Sequence, residues 1–187
     1  CWKESATAGF DIVAFEGTGS AHTESHSLSA VPNLMIFKNR DATDGDAQAW
    51  AVYHHKNTSA PATDRLILNT TEATYDEAID FNDTDPTSSV FSVGTGNRTN
   101  RSGDSIIAYL FAEKQGFSHF GTYEGNGNAD GTFVYTGFRP AFVICKAIDS
   151  TSSWFIFDDQ REGYNKDNDA FEIDPAGTYV EATTDMI

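Results

Sequence analysis

Short runs of alternating apolar and polar residues, separated by Gly, Pro, Asn and Asp, govern the pattern along this chain. "FDIVAFEG" (residues 10–17) alternates and then breaks at a Gly-rich turn. "AHTESHSL" (21–28) is polar and extended, which predicts an outer strand. "NLMIFKN" (33–39) follows Pro32, a residue suited to a strand start. "AWAVYHH" (49–55), "RLILNTT" (65–71), "SSVFSVGT" (88–95) and "DSIIAYLFAE" (104–113) continue the series. β-branched and aromatic residues in runs this short predict strands. "TEATYDEAIDF" (71–81) is the piece that tolerates a helix, of one turn or two.

The series then begins again. "FEGTGSA" (15–21) is answered by "YEGNGNA" (123–129), an offset of 108 residues from Phe15 to Tyr123. Gly17 falls on Gly125, Pro32 on Pro140 and Lys38 on Lys146 without a gap. "AWAVYHH" is answered by "SWFIFDD" (153–159), with Trp50 on Trp154 and an offset of 104. "RLILNTTEATY" (65–75) loosely matches "AFEIDPAGTYV" (170–180). Gly, Pro, Trp and apolar runs recurring in one order imply internal duplication. Further strands are predicted at "HFGTYEGN" (119–126), "GTFVYTGF" (131–138), "PAFVICKAI" (140–148), "SWFIFDDQ" (153–160) and "AFEIDP" (170–175).

The expected fold is all-β, with tandem β-sandwich or jelly-roll-like units related by duplication. Residues 1–9 read as the end of a preceding unit or a linker. Residues 10–114 read as the first unit, and 115–187 as a second that lacks the first one's closing strands. The chain opens at Cys1 rather than Met, and "CWKESATAGF" echoes "FAEKQGF" (111–117). Together these suggest a window on a longer array. An unclosed sheet would leave a bare edge, so another segment is expected to supply the missing strands.

Composition narrows the function. The 187 residues carry a formal net charge of −16 and a pI near 4.4. A field of that sign repels phosphate backbones and excludes nucleic acid as the natural partner. No run of about 18 apolar residues is present, so no membrane helix is predicted. Cys1 and Cys145 are too few for a disulfide framework, and Cys145, in "AFVIC", reads as a buried free thiol.

Several groups could carry chemistry. "DATDGDAQ" places Asp41, Asp44 and Asp46 in one loop, where carboxylates can hold Ca²⁺. The EF-hand spacing is not met, and a solvated loop is the competing reading. Asp158 and Asp159, with Asp167, Asn168 and Asp169, stand on the same footing. His22, Glu24 and His26 share one face of an extended strand, a set that could take Zn²⁺. The second unit has Asp130, Thr132 and Val134 there, so the repeat does not depend on those ligands. His54 and His55 are adjacent and should point to opposite faces. Trp50 and Trp154 read as core anchors first and sugar platforms second. Asn57, Asn69, Asn82, Asn97 and Asn100 each open an N-x-S/T sequon. With 28 acidic residues, carboxylate pairs are unavoidable and carry no signal of a glycosidase. No G-x-S-x-G or phosphate loop is present, and a non-enzyme is expected.

The series "GFDIVAFEGTGS", "HSLSAVPNLMIFKNR", "WAVYHH", "LILNTT", "DPTSSVFSVG", "SGDSIIAYLFAE", "FGTYEGNG", "DGTFVYTGFRPAFVICKAID" and "SWFIFDDQREGYN" covers nearly the whole chain. It resembles a family of tandem-repeat proteins encoded by marine tailed phages, cyanophages among them. Members of that family read as tail-fibre-like or particle-decorating virion appendages. The resemblance implies a structural role at the virion surface or outside the cell. Its partners would be other virion proteins and copies of itself in a homo-oligomer, with the trimer as the form common in fibres. Host surface glycans are a further partner class. A carbohydrate-binding adhesin module and a capsid decoration protein are the alternatives.

Overall fold

The computed structural model describes residues 3–43, 45–128, 130–159, 170–173 and 181–182. These residues are nearly all β. The strands are β1 (Phe10–Glu16), β2 (His22–Ser25), β3 (Leu34–Asn39), β4 (Ala51–His54), β5 (Asp64–Ile67), β6 (Tyr75–Asp76), β7 (Val90–Val93), β8 (Ser105–Phe111), β9 (Phe142–Lys146), β10 (Trp154–Asp158), β11 (Ala170–Ile173) and β12 (Glu181–Ala182). The described helical pieces are a 3₁₀ turn at Gly45–Gln48 and a single α-turn, α1, at Asn97–Asn100.

Six strands form one antiparallel sheet in the order β1-β8-β3-β4-β5-β6. Alternation decides what each face does. Met35, Phe37, Ala51, Tyr53, Ile67, Ile106, Ala108 and Leu110 line the inner face and are all buried. The two-stranded ribbon β2-β7 contributes Phe91 and Val93 to the same core. Phe81 sits edge-on to Tyr53, with ring centroids 5.6 Å apart. Each large side chain buried here contributes about 1.5–3 kcal/mol. Ribbon and sheet thus make an unequal sandwich, and the first unit closes.

The second sheet is β12-β11-β10-β9. Its pairing copies part of the first. Leu34 pairs with His54 and Phe37 with Ala51; 108 and 104 residues on, Phe142 pairs with Asp158 and Cys145 with Phe155. Val52 pairs with Leu66, and Ile156 with Phe171. The offsets read in the sequence are therefore the offsets of the hydrogen-bond register.

The second sheet packs against the first. Trp154 is 6% exposed and lies on Val52 and Leu66, flanked by Leu34, Ile36, Leu68, Ile148 and Ile173. Its indole N–H donates to the Ile67 carbonyl at 2.8 Å. Thr74 N–H donates to the Ile148 carbonyl (2.8 Å), and Ser152 N–H to that of Thr71 (2.9 Å). Trp50 is only partly buried, with the Lys38 ammonium 5.6 Å from its ring centroid. The two equivalent tryptophans therefore do different work.

Three expectations need correction. Residues 119–126 and 131–138 form no strand; Phe133 is 86% and Tyr135 77% exposed, so they gain nothing from burial there. The helix-tolerant stretch forms β6 and turns instead, because Glu77 and Asp80 are drawn to buried arginines. Cys145 is free but only partly buried. Among the described residues the second sheet has no ribbon of its own and uses the first sheet as its facing layer.

Gly17 and Gly125 also part company. A Cβ at Gly17 would lie 2.2 Å from the Arg101 carbonyl, whereas nothing lies within 4 Å of one at Gly125. Gly17→Ala is expected to cost about 1–3 kcal/mol, from overpacking. Gly125→Ala should stay within about 0.5 kcal/mol. Urea denaturation of both variants checks this.

Candidate functional site

Two arginines sit inside an acidic protein. Arg65 lies on β5 and Arg98 on α1, with side chains 10% and 3% exposed. Neither tolerates burial without partners, and the turn after β6 brings them. Arg65 Nε lies 2.6 Å from Glu77 Oε2, and Arg98 Nη2 lies 2.7 Å from the same oxygen. Asp80 is fully buried, with its Oδ2 3.2 Å from Arg98 Nε and 3.4 Å from Arg65 Nε. That oxygen has charge partners but no well-aligned hydrogen bond. Glu72 reaches Arg65 Nη1 at 3.5 Å, and Asp46 reaches Arg98 Nη2 at 3.8 Å. Burial pushes the Asp80 carboxyl up to about 6; Arg98 and Arg65 pull it down, while Glu77 and Asp46 push it further up.

Backbone closes this network from above. Gly94 N–H donates to the Asp80 carbonyl at 3.1 Å, and Thr99 Oγ1 donates to the same oxygen at 3.2 Å. A Cβ on Gly96 would stand 2.5 Å from Asp80 Oδ1. Asn100 donates through Nδ2 to the Ser20 carbonyl (2.8 Å) and accepts from Thr18 N–H (2.8 Å). The arrangement is a latch that fastens segment 77–101 to the sheet. A cleft of about 400 Å³ beside it is lined by Gly45, Asp46, Ala47, Asn97 and Arg101.

The groups singled out in the sequence are dispersed. Asp41 accepts from Ser105 N–H at 2.6 Å, a bond that holds its carboxyl below the usual range. Asp46 faces Arg98, and Asp44 lies outside the described residues. His22 Nε2 lies 3.0 Å from Glu24 Oε1, as their shared face implies, but His26 turns to the Thr87 carbonyl at 3.1 Å. Among the described residues no three His, Cys, Asp or Glu side chains converge as a metal would need. Asp158 and Asp159 lie at the open end of the β9-β10 pairing, beside Phe142 and Ala141, and residues 167–169 lie outside the described set. Asn57 and Asn100 are buried, so these two sequons present no acceptor.

The histidine pair corrects another expectation. β4 ends at His54, so alternation lapses and the rings of His54 and His55 lie 5.4 Å apart. Burial, with help from His55 and Lys56, pushes His54 down to about 4. Its Nδ1 accepts from Lys56 N–H at 3.2 Å, which requires the neutral ring. A depressed folded pKa gives stability that is present above about 6.5 and lost as pH falls through about 4. His54→Gln should therefore lose less stability than the parent between pH 6.5 and 4, as read by thermal melts across that window.

The exposed side is different. Phe117 (66%), Tyr123 (57%), Phe133, Tyr135 and Phe142 (57%) form a run of solvent-facing aromatics. Between them the loop is pinned by Thr132 Oγ1 to the Glu124 carbonyl (2.6 Å) and Asn126 Nδ2 to the Asp130 carbonyl (2.8 Å).

Sequence reasoning missed the latch. The signal was there: Arg65 stands at the head of the apolar run Leu66–Leu68, and Arg98 sits between two glycines and a Thr-Asn pair. Strand logic also hid the aromatic run, since "GTFVYTGF" alternates like a strand without having a partner.

Taken together, the fold and these sites define an all-β chain with a buried ionic latch and a set of exposed aromatics. It belongs to the family described as a domain of unknown function (DUF7483), whose model matches residues 3–186. No curated protein and no solved structure matches it.

Proposed function

We propose that this chain is a non-enzymatic structural segment of a phage fibre or surface appendage, serving particle assembly and contact with the host surface. The observation that carries this reading is the repeated strand register, joined by Trp154 packing one sheet on the other. Units that recur and stack in this way extend a shaft or a decoration without needing a catalytic centre. The net charge of −16 suits a particle surface kept apart from nucleic acid. Copies in a homo-oligomer would multiply weak contacts into useful avidity.

Peptide-level mass spectrometry on purified virions tests this. Peptides of this chain at many copies per particle are the expected result. Fibre-like copy number points to the tail, and shell-like copy number to capsid decoration. Absence from particles, with the protein found free or on cells, overturns the reading.

A second reading has an observation of its own. Tyr123, Phe133 and Tyr135 stand exposed in the segment of chain that also carries Asn126 and Asn128, and ring faces with amides are the groups that sugars use. Saturable binding on a glycan array, lost in Tyr135→Ala, is the outcome that would establish an adhesin module.

A further inference from the structure

We propose that the free edge of β9 is a strand-acceptor site, filled antiparallel by an extended, alternately apolar segment with the chemistry of β8. The inference rests on reading the two sheets as equivalent units.

In the first sheet β3 has two neighbours, β4 and β8. Arg40 N–H bonds the Ser105 carbonyl at 2.9 Å, which sets the phase of the β3-β8 ladder. Alternation then aims the main-chain groups of Leu34, Ile36 and Lys38 at β8. In the second sheet β9 pairs with β10 alone among the described residues. Asp159 N–H bonds the Ala141 carbonyl at 3.1 Å, so Val143 and Cys145 are the residues bonded to β10. The main-chain groups of Phe142, Ile144 and Lys146 therefore face outward. These are the counterparts of Leu34, Ile36 and Lys38, each 108 residues on.

The edge is short and only lightly protected. It has no proline and one charge, Lys146, and its outward residues Phe142 and Ile144 are 57% and 36% exposed. The register follows from the first sheet, where Leu34 pairs with Phe111, Ile36 with Tyr109 and Lys38 with Ile107. The seventh, fifth and third residues of the incoming strand would then stand beside Phe142, Ile144 and Lys146.

A folded second copy is the weaker occupant. Its β8 is held on both edges by β1 and β3. Pairing of β9 with β9 would join two chains of charge −16 through a strand of five residues. A segment not already paired, apolar and nearly uncharged, fits better.

The probe is a synthetic peptide with the order of Ser105–Glu113, SIIAYLFAE, carrying a short lysine tail for solubility, added to the full 187-residue chain. Residue-resolved amide exchange is the readout. Saturable binding should slow exchange at Phe142, Ile144 and Lys146 by about tenfold or more, and change Val143 and Cys145 little. Ile144→Pro removes one outward N–H, is tolerated on a free edge, and should abolish binding. Should that variant fail to fold, a peptide N-methylated at its tyrosine serves the same purpose and should not bind. A scrambled peptide should be inert. No slowing, or equal slowing with the scrambled peptide, overturns the proposal. So does prior protection of these amides in an oligomer, which would give the edge to a second copy. Absence from virions would remove the virion role and leave the edge result standing; a silent peptide would do the reverse.

Discussion

Arg98→Met is expected to destabilise the fold by about 3–5 kcal/mol, the cost of breaking a buried ion pair from one side. The side chain is 3% exposed and meets Glu77 at 2.7 Å and Asp80 at 3.2 Å. Without it, fully buried Asp80 keeps only the more distant Arg65, at 3.4 Å. Denaturant titration of the variant reads the loss. Asp80→Asn on top of Arg98→Met should recover part of it, because the stranded charge is gone. Equal losses in the single and double variants would mean that Arg98 acts through packing alone.

The same network sets a pH dependence. The folded Asp80 pKa of about 6 lies above its ordinary 3.8. A raised folded pKa gives stability that is fully present below about 4 and lost as pH rises through about 6. His54 works the other way over much of that window, and reduced overall repulsion acts alongside Asp80. The difference between parent and Asp80→Asn isolates the carboxyl. It should favour the Asn variant more at pH 7.5 than at pH 4.5, by on the order of 2 kcal/mol, levelling off above about 6. A difference that is flat in pH would show that Asp80 titrates in the ordinary range.

Trp154→Ala should cost about 3–5 kcal/mol, as expected for a buried aromatic cut to a methyl. The loss should be local. Trp154 fills the contact with Val52 and Leu66 and holds the Ile67 carbonyl, while the core around Phe37 and Phe91 does not touch it. Amides of β9 and β10 should lose protection while those of β3 and β8 keep theirs. Trp50→Ala, at a partly buried site, should cost clearly less. Uniform loss across both sheets would mean that they unfold as one cooperative body.

Much of the fold could be read from the chain. Strands at "FDIVAFE", "LMIFKN" and "SIIAYLF" alternate because one face must bury, and period two writes that need into the sequence. The repeat offsets match the pairing registers because the alternating pattern keeps the same strand partners, although the loop between β9 and β10 is four residues shorter than that between β3 and β4. "HFGTYEGN" and "GTFVYTGF" misled because alternation is necessary for a strand but not sufficient; a neighbour must offer its backbone. The latch left only a faint local signal for a related reason. Glu72, Glu77, Asp80 and Arg98 look like ordinary solvated charges until the chain turns after β6 and lays them over Arg65.

The order of residues alone settled the all-β class and the net acidic charge, since these follow from local periodicity and composition. Three-dimensional packing settled which tryptophan is an anchor, which glycine is under steric demand and which arginines are buried. Each of those depends on a distant partner: Trp154 on Val52 and Leu66, Gly17 on the Arg101 carbonyl, Arg98 on Asp80 and Glu77. Local sequence cannot report such partners, because the energy of a buried contact belongs to both of its sides and is created only when they meet.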